Sequence, residues 1–161
     1  MKKFFLLACL ALASTSLFAQ KGTLSLGYNI NFGLHSDYKN VGLGAKLQYE
    51  FVNNVRGEAS FNYFFKKDGC TMWDANVNFH YLIRLGQAKK WTIYPLAGVT
   101  LLGSKVDLGG VNVDNTRFGG NFGAGVEYPV VNGIKVNAEA KYQVVKDWNR
   151  PVITVGMTFD L

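Results

Sequence analysis

The side chains that could do chemistry in this chain are charged groups at alternating positions along extended segments. Side chains two residues apart in a strand share a face, so carboxylates and cations spaced this way can pair within a sheet. The set predicts a structural network of ion pairs in the interior of a barrel, with a proton or ion path as the alternative. Its members are Lys46, Glu50, Arg56, Glu58, Arg117, Glu127, Lys135, Glu139 and Lys141.

Two short turns fix the register of these charges. The turn "VNN" places Glu50 directly opposite Arg56, so we expect a salt bridge between them inside the barrel. Four further cross-strand relations follow from "VNN" and "VNG": Gln48 opposite Glu58, Lys46 diagonal to Glu58, Gly125 opposite Glu139, and Gly123 opposite Lys141. Small residues opposite long ones are how a narrow barrel fills its interior.

Other chemistry has little support. A metal site needs several converging ligands, and only Asp74 shares a predicted face with His80, while His35 stands alone. We therefore expect hydrogen-bonded histidines, no metal and no cofactor. No Ser–His–Asp set emerges, so a barrel-type lipid-modifying enzyme is disfavoured and no catalytic residue is assigned. Cys70 is predicted to be a solvated thiol in a loop.

The segment "GTLSLGYNINFGL" carries apolar or aromatic residues at even positions and small or polar ones at odd positions. A period of two indicates a strand with two different faces. The alternation recurs, which predicts eight strands: 22–34, 41–51, 55–65, 73–81, 91–102, 117–128, 134–143 and 153–161. The fifth has no clear facing, because Tyr94, Leu96 and Leu102 compete with alternate residues such as Ile93. Its Pro95 belongs at a bulge or at the strand's start.

The predicted connections alternate in length. Tight turns follow the second and sixth strands, and a somewhat longer connection lies near 84–90. The longer loops are 35–40, 66–71, 103–116 and 145–151. Strands joined this way form an antiparallel meander, and closure into a barrel removes its exposed edges. The third loop contains "GGVNVDNT", which is either a partner-binding loop or an inert cap.

An eight-stranded barrel can turn its apolar face inward around a ligand or outward to lipid. Three features favour lipid. The polar face is rich in Gly, Asn, Ser and Thr and poor in charge, each strand has about the ten residues that a tilted membrane strand needs, and the aromatic residues gather near the strand ends. The two predicted aromatic girdles are Phe32, Tyr63, Phe65, Trp73, Phe118 and Tyr142 near the loops, and Tyr49, Phe51, Tyr81, Tyr128 and Phe159 near the turns.

Residues 1–19 have the features of a secretory signal peptide. Lys2 and Lys3 precede an apolar stretch and a small-residue segment, which predicts cleavage between Ala19 and Gln20 and a barrel domain over 20–161. A lipoprotein signal is the rival, but Cys9 comes too early in the apolar stretch. Cleavage would lower the net charge from +6 to about +4, too little to suggest nucleic-acid binding. The mature chain keeps one cysteine, so no internal disulfide is expected.

The mature chain resembles the small outer-membrane β-barrel family of the OmpA/OmpX type, often called porin-like. The resemblance rests on the signal peptide, on "FGGNFGAGVEY" and "VNAEAKYQ", and on the terminal "VITVGMTFDL". It implies an all-β, eight-stranded antiparallel up-and-down transmembrane barrel in an outer membrane of Gram-negative type. It also implies that the barrel-assembly machinery reads the last strand, although Leu161 stands where the family usually ends in an aromatic residue.

These observations predict a monomeric outer-membrane barrel with a packed polar interior, surrounded by outer-membrane lipid. The expected role is structural or surface interaction through the longer loops, without enzymatic activity. The alternatives are a small passive channel and, less favoured, a soluble barrel that binds an apolar ligand.

Overall fold

The computed structural model describes residues 22–36, 39–86, 90–107 and 112–161. The predicted signal peptide and its cleavage site between Ala19 and Gln20 lie outside these residues. In the described part of the chain, no helix is long and apolar enough to cross a membrane. The strands are β1 (Leu24–Leu34), β2 (Lys39–Val52), β3 (Val55–Lys67), β4 (Cys70–Tyr81), β5 (Ile83–Leu85), β6 (Trp91–Asp107), β7 (Asn112–Val131), β8 (Ile134–Val145) and β9 (Arg150–Asp160).

The strands close into a barrel. Except for β4 and β5, which do not pair with each other, neighbours along the chain pair antiparallel, β1 pairs with β9, and pairing of β4 with β6 completes the ring. The short β5 also pairs with β6 and continues the line of β4 beyond Leu82. Counting β4 and β5 as one interrupted strand, the wall therefore has eight strands, each of which we call a stave. This confirms the predicted eight-stranded antiparallel up-and-down barrel. Closure pairs β1 with β9 and so removes the two edges that an open sheet would leave.

The two faces of each strand meet different surroundings. In β1, Asn31 is fully buried while Tyr28 is 60 % exposed. In each strand alternate residues point into the lumen, the interior of the barrel, and the residues between them point outward, as the period of two predicts; in β1 the inward positions are the odd-numbered ones. The outward aromatic residues are not confined to the two girdles, because Phe61 lies at the centre of β3 and is also exposed.

The fifth predicted stave corresponds to β6, and its facing is now resolved. Tyr94 and Leu96 are buried in the lumen, whereas Ile93 is exposed on the outer face. Pro95 is at neither a bulge nor the strand's first residue. Pro95 pairs with Ala124 of β7 on one side of β6. On the other side, pairing with β4 ends at Leu96 and pairing with β5 begins at Ile93, so the ladder is interrupted beside Pro95. A residue without an N–H fits such a break because no ladder hydrogen bond is lost there.

The tight turns match their prediction, but the longer loops are shorter than predicted. β3 continues to Lys67 and β4 begins at Cys70, so Asp68 and Gly69 alone connect them, both with positive φ. Cys70 is therefore a strand residue and not a loop residue, and it is partly buried. β6 likewise extends to Asp107, and β7 begins at Asn112. Backbone pairing continues beyond the point where the apolar alternation fades, so hydrophobic periodicity underestimates strand length at this end.

Candidate functional site

The lumen is the candidate functional site, and its charges balance. Four carboxylates and four cations are buried among the described residues: Glu58, Asp74, Glu127 and Glu139 with Lys46, Arg56, Lys141 and Arg150. Buried charges are tolerated only when they are paired and hydrogen-bonded. A balanced set of this kind can neutralise itself across the barrel axis.

Glu58 is the centre of the network nearer the turns. Its Oε2 accepts a hydrogen bond from Gln48 Nε2 at 2.8 Å and its Oε1 accepts one from Asn78 Nδ2 at 3.2 Å. Lys46 Nζ lies 3.8 Å from Oε2 and donates to Asn137 Oδ1 at 2.8 Å. The predicted register is therefore present, with Gln48 opposite Glu58 and Lys46 within reach.

Glu139 and Lys141 form a neighbouring pair in this network. Lys141 Nζ lies 3.6 Å from Glu139 Oε1, and the Tyr94 hydroxyl donates to Glu139 Oε2 at 3.3 Å. Gly125 and Gly123 of β7 lie opposite these two residues, as the "VNG" turn predicts. The small residues leave space for the long side chains that fill the lumen.

The predicted salt bridge between Glu50 and Arg56 is wrong. The two residues are opposite in the ladder, but Arg56 Nη1 donates to Glu127 Oε2 at 2.8 Å across the lumen. Glu50 Oε1 instead accepts from Arg84 Nη2 at 2.6 Å near the turns. The register shift beside Glu50 accompanies this separation: its carboxylate stays partly exposed, while Arg56 reaches a buried partner.

Two other predicted lumen charges lie near the barrel ends. Lys135 Nζ pairs with Asp160 Oδ1 at 2.9 Å, and both side chains are about one-quarter exposed. Arg117 is partly buried, opposite Leu102, beyond the polar network on the loop side. With Glu50, three of the nine predicted charges thus lie outside the fully buried network, and the other six lie within it.

The second network, nearer the loops, was largely missed by sequence reasoning. Arg150 Nη2 donates to Asp74 Oδ2 at 2.8 Å, and both residues are essentially unexposed. Arg150 Nε also donates to Gln143 Oε1 at 2.7 Å. Arg150 fell within the predicted connection 145–151. Thr154 and Val152 of β9 face inward. Continuing this alternation by two more residues would have placed Arg150 in the lumen as well.

An apolar layer closes the lumen on the loop side. It consists of four side chains, each no more than 2 % exposed: Phe64, Met72, Leu102 and Val145. The Arg150 guanidinium lies over the Phe64 ring, 4.4 Å from its centroid. Cation–π contact joins the layer to the polar network beneath it. These inward apolar residues break the polar alternation, so the sequence pattern alone did not reveal them.

The histidines have structural surroundings. His80 stacks on Tyr94, with ring centroids 4.7 Å apart, and His35 stacks on Trp148. One ligand atom each from Glu58, His80 and Glu139 lies within 4.8 Å of the others. However, Arg56 Nε donates to His80 Nδ1 at 3.3 Å, so the proton of a neutral ring is on Nε2, the atom that would bind a metal. The nearby lysines also already supply cations to both carboxylates.

The comparisons with known proteins agree with this geometry. No curated protein sequence matches the chain. Ail of Yersinia pestis is 19 % identical, with a TM-score of 0.64 over 87 % of this chain and 97 % of Ail. The N-terminal β-barrel domain of Pseudomonas aeruginosa OprF is 12 % identical, with a TM-score of 0.73 over 88 % of this chain and all of that domain. Neisserial surface protein A is 16 % identical, with a TM-score of 0.66 over 87 % of this chain and 97 % of that protein.

These solved structures share the fold at low identity. The family assignment comes from a family model described as outer membrane protein beta-barrel domain, which matches residues 5–159. Because that match spans nearly the whole chain, this protein belongs to the outer membrane protein β-barrel domain family.

Proposed function

We propose that this protein is a non-conducting, non-enzymatic barrel of the outer membrane, with a structural or surface-interaction role. Its outer wall contacts lipid. The surface role belongs to the loop end, the end of the barrel opposite the tight turns. The closed lumen is the observation that carries the proposal. Eight strands enclose an interior that side chains can fill, whereas water-filled porins have about sixteen to eighteen strands.

Two levels of the lumen oppose ion passage. The apolar layer offers no polar group to replace the water lost by an entering ion, so its passage is unfavourable. Beneath it, Asp74 pairs with Arg150, and Glu58 pairs with Lys46. The opposite charges neutralise one another and do not line a path of one charge sign. Ion channels are typically lined by carbonyls or by rings of like charge.

Planar-bilayer recording tests this proposal. We expect the purified protein to give no stable, reproducible conductance steps, while a porin added afterwards to the same membrane conducts. Steady ion-selective steps that change in Glu139→Gln or Arg56→Gln would contradict the proposal. They would favour the alternative function, a small passive channel.

The loop end is the place to seek a surface role. The β6–β7 hairpin projects beyond β8, because β7 pairs with β6 from Asn112 but with β8 only from Gly119. Ail, whose structure is described as that of an attachment invasion locus protein, shares this fold. That similarity supports attachment as one form of surface role. The test compares the attachment of cells that carry the full-length protein with that of cells whose protein lacks residues 108–111.

Export and assembly complete the proposal. We infer that a signal peptide over 1–19 directs export, that the barrel-assembly machinery inserts the mature chain, and that the barrel is a monomer in a Gram-negative outer membrane. The charge and apolar pattern of the first residues supports the leader. Mass measurement of the protein from washed outer membranes should give a chain beginning at Gln20, and a chain beginning at Met1 would contradict cleavage.

A further inference from the structure

A cavity of about 330 Å³ lies on the loop side of the apolar layer. Met72 and Leu102 belong to both the layer and the cavity lining, and Val106 and Val113 line it from the β6–β7 hairpin. Its size is at the lower end of the roughly 300–1,000 Å³ range of small-molecule sites. Such sites are mostly apolar with a few placed polar groups, which is also the composition of this lining.

Trp148 forms one wall of this cavity in a fixed orientation. Its ring stacks on His35 with centroids 4.1 Å apart and planes 5° apart. Its backbone N–H donates to the Val145 carbonyl at 2.9 Å, and its side chain packs against the apolar layer. A wall held from two sides costs a ligand little ordering on binding.

Arg117 supplies the cation of the cavity. It lies opposite Leu102 in the ladder and is partly buried. Within the described ranges of the chain, no hydrogen bond or ion pair engages its guanidinium, even though Asp147 also lines the cavity. A partly desolvated guanidinium beside apolar walls favours an anionic partner, which it can bind through two parallel hydrogen bonds.

We propose that this cavity binds a small molecule with an apolar body and one carboxylate. The rings or chain of the ligand pack between Trp148 and the apolar layer, and the carboxylate accepts hydrogen bonds from Arg117. Ser104 and Asn115 line the same cavity and offer further polar groups. The site requires no passage through the barrel, so it goes beyond the proposed function and does not depend on conductance.

The test uses the mature protein in lipid nanodiscs, with its tryptophans labelled with ¹⁵N. The chain has three tryptophans, and Trp73 and Trp91 lie on the outward face, away from the cavity. Titration with 2-naphthoate should shift the Trp148 indole signal saturably and leave the other two nearly unchanged. The neutral 2-naphthamide should bind about tenfold more weakly, as loss of a hydrogen bond to a charged group predicts.

Variants assign the charge effect. Arg117→Gln should weaken 2-naphthoate binding about tenfold, to the level of 2-naphthamide. Lys105→Gln, an exposed lysine on the same hairpin, should leave the affinity unchanged. Equal affinity for the two naphthalenes, or absence of a saturable Trp148 shift, would overturn the proposal. The ligand comparison uses the native protein, so it remains decisive if Arg117→Gln does not fold.

Discussion

At the scale of single residues, Asp74 shows how one carboxylate can organise a lumen. Its Oδ2 accepts from Arg150, and its Oδ1 accepts from Asn62 at 2.6 Å and from Asn76 at 2.7 Å. These donors come from β9, β3 and β4 itself. The carboxylate therefore joins staves from different parts of the ring, and its loss leaves a buried guanidinium without its counter-charge.

Asp74→Asn should lower the free energy of unfolding by about 3–5 kcal/mol, the cost of breaking a buried pair from one side. Urea unfolding of the folded protein in lipid vesicles measures it. The matched control is Glu50→Gln, which breaks the partly exposed pair with Arg84 and should cost only about 0–1 kcal/mol. Equal losses in the two variants would show that the Asp74 pair is not effectively buried.

Gly125→Ala tests how tightly the lumen is filled. A Cβ at this position would overlap the Tyr94 ring, so the variant should lose about 1–3 kcal/mol through overpacking. Gly120→Ala on the same strand is the control, because the nearest atom to its Cβ would be 3.8 Å away. Heat-induced change in gel mobility measures both variants, and unchanged behaviour of Gly125→Ala would contradict the packed position of Tyr94.

At the scale of elements, the turns were easier to predict than the loop end. "VNN" and "VNG" are short and lie between strongly alternating segments, so they determine the register of β2 with β3 and of β7 with β8. The salt bridge of Glu50 was wrong because ladder register constrains Cα positions and not where a long side chain ends. Strand ends at the loop side were underestimated because pairing there continues without an apolar outer face.

Leu47→Arg tests the outward face of the strands. Leu47 lies in the middle of β2 and is 46 % exposed on the outer wall, where lipid would surround it. Arginine near the bilayer midplane should cost about 2–4 kcal/mol of stability in vesicles. Asn132→Arg, in the turn between β7 and β8, should have little effect, and equal losses at both positions would contradict the lipid-facing assignment.

At the scale of the whole molecule, the barrel follows from a period of two repeated around a closed ring. That pattern was sufficient to predict eight staves, their antiparallel order and the inward position of Lys46, Glu58 and Lys141. It could not predict the apolar layer, because Met72 and Leu102 are apolar like the residues of the outward face. Their burial in the three-dimensional structure shows that they face inward and close the lumen.

The most direct test of the account uses neighbouring leucines of β6 that differ only in facing. Leu101 is 43 % exposed on the outer wall, whereas Leu102 is 2 % exposed in the apolar layer. Nuclear Overhauser contacts between methyl groups and lipid acyl chains should be measured in nanodiscs. We predict acyl-chain contacts for Leu101 and none for Leu102. Acyl-chain contacts for Leu102 with none for Leu101 would contradict the lipid-facing wall and the closed lumen together.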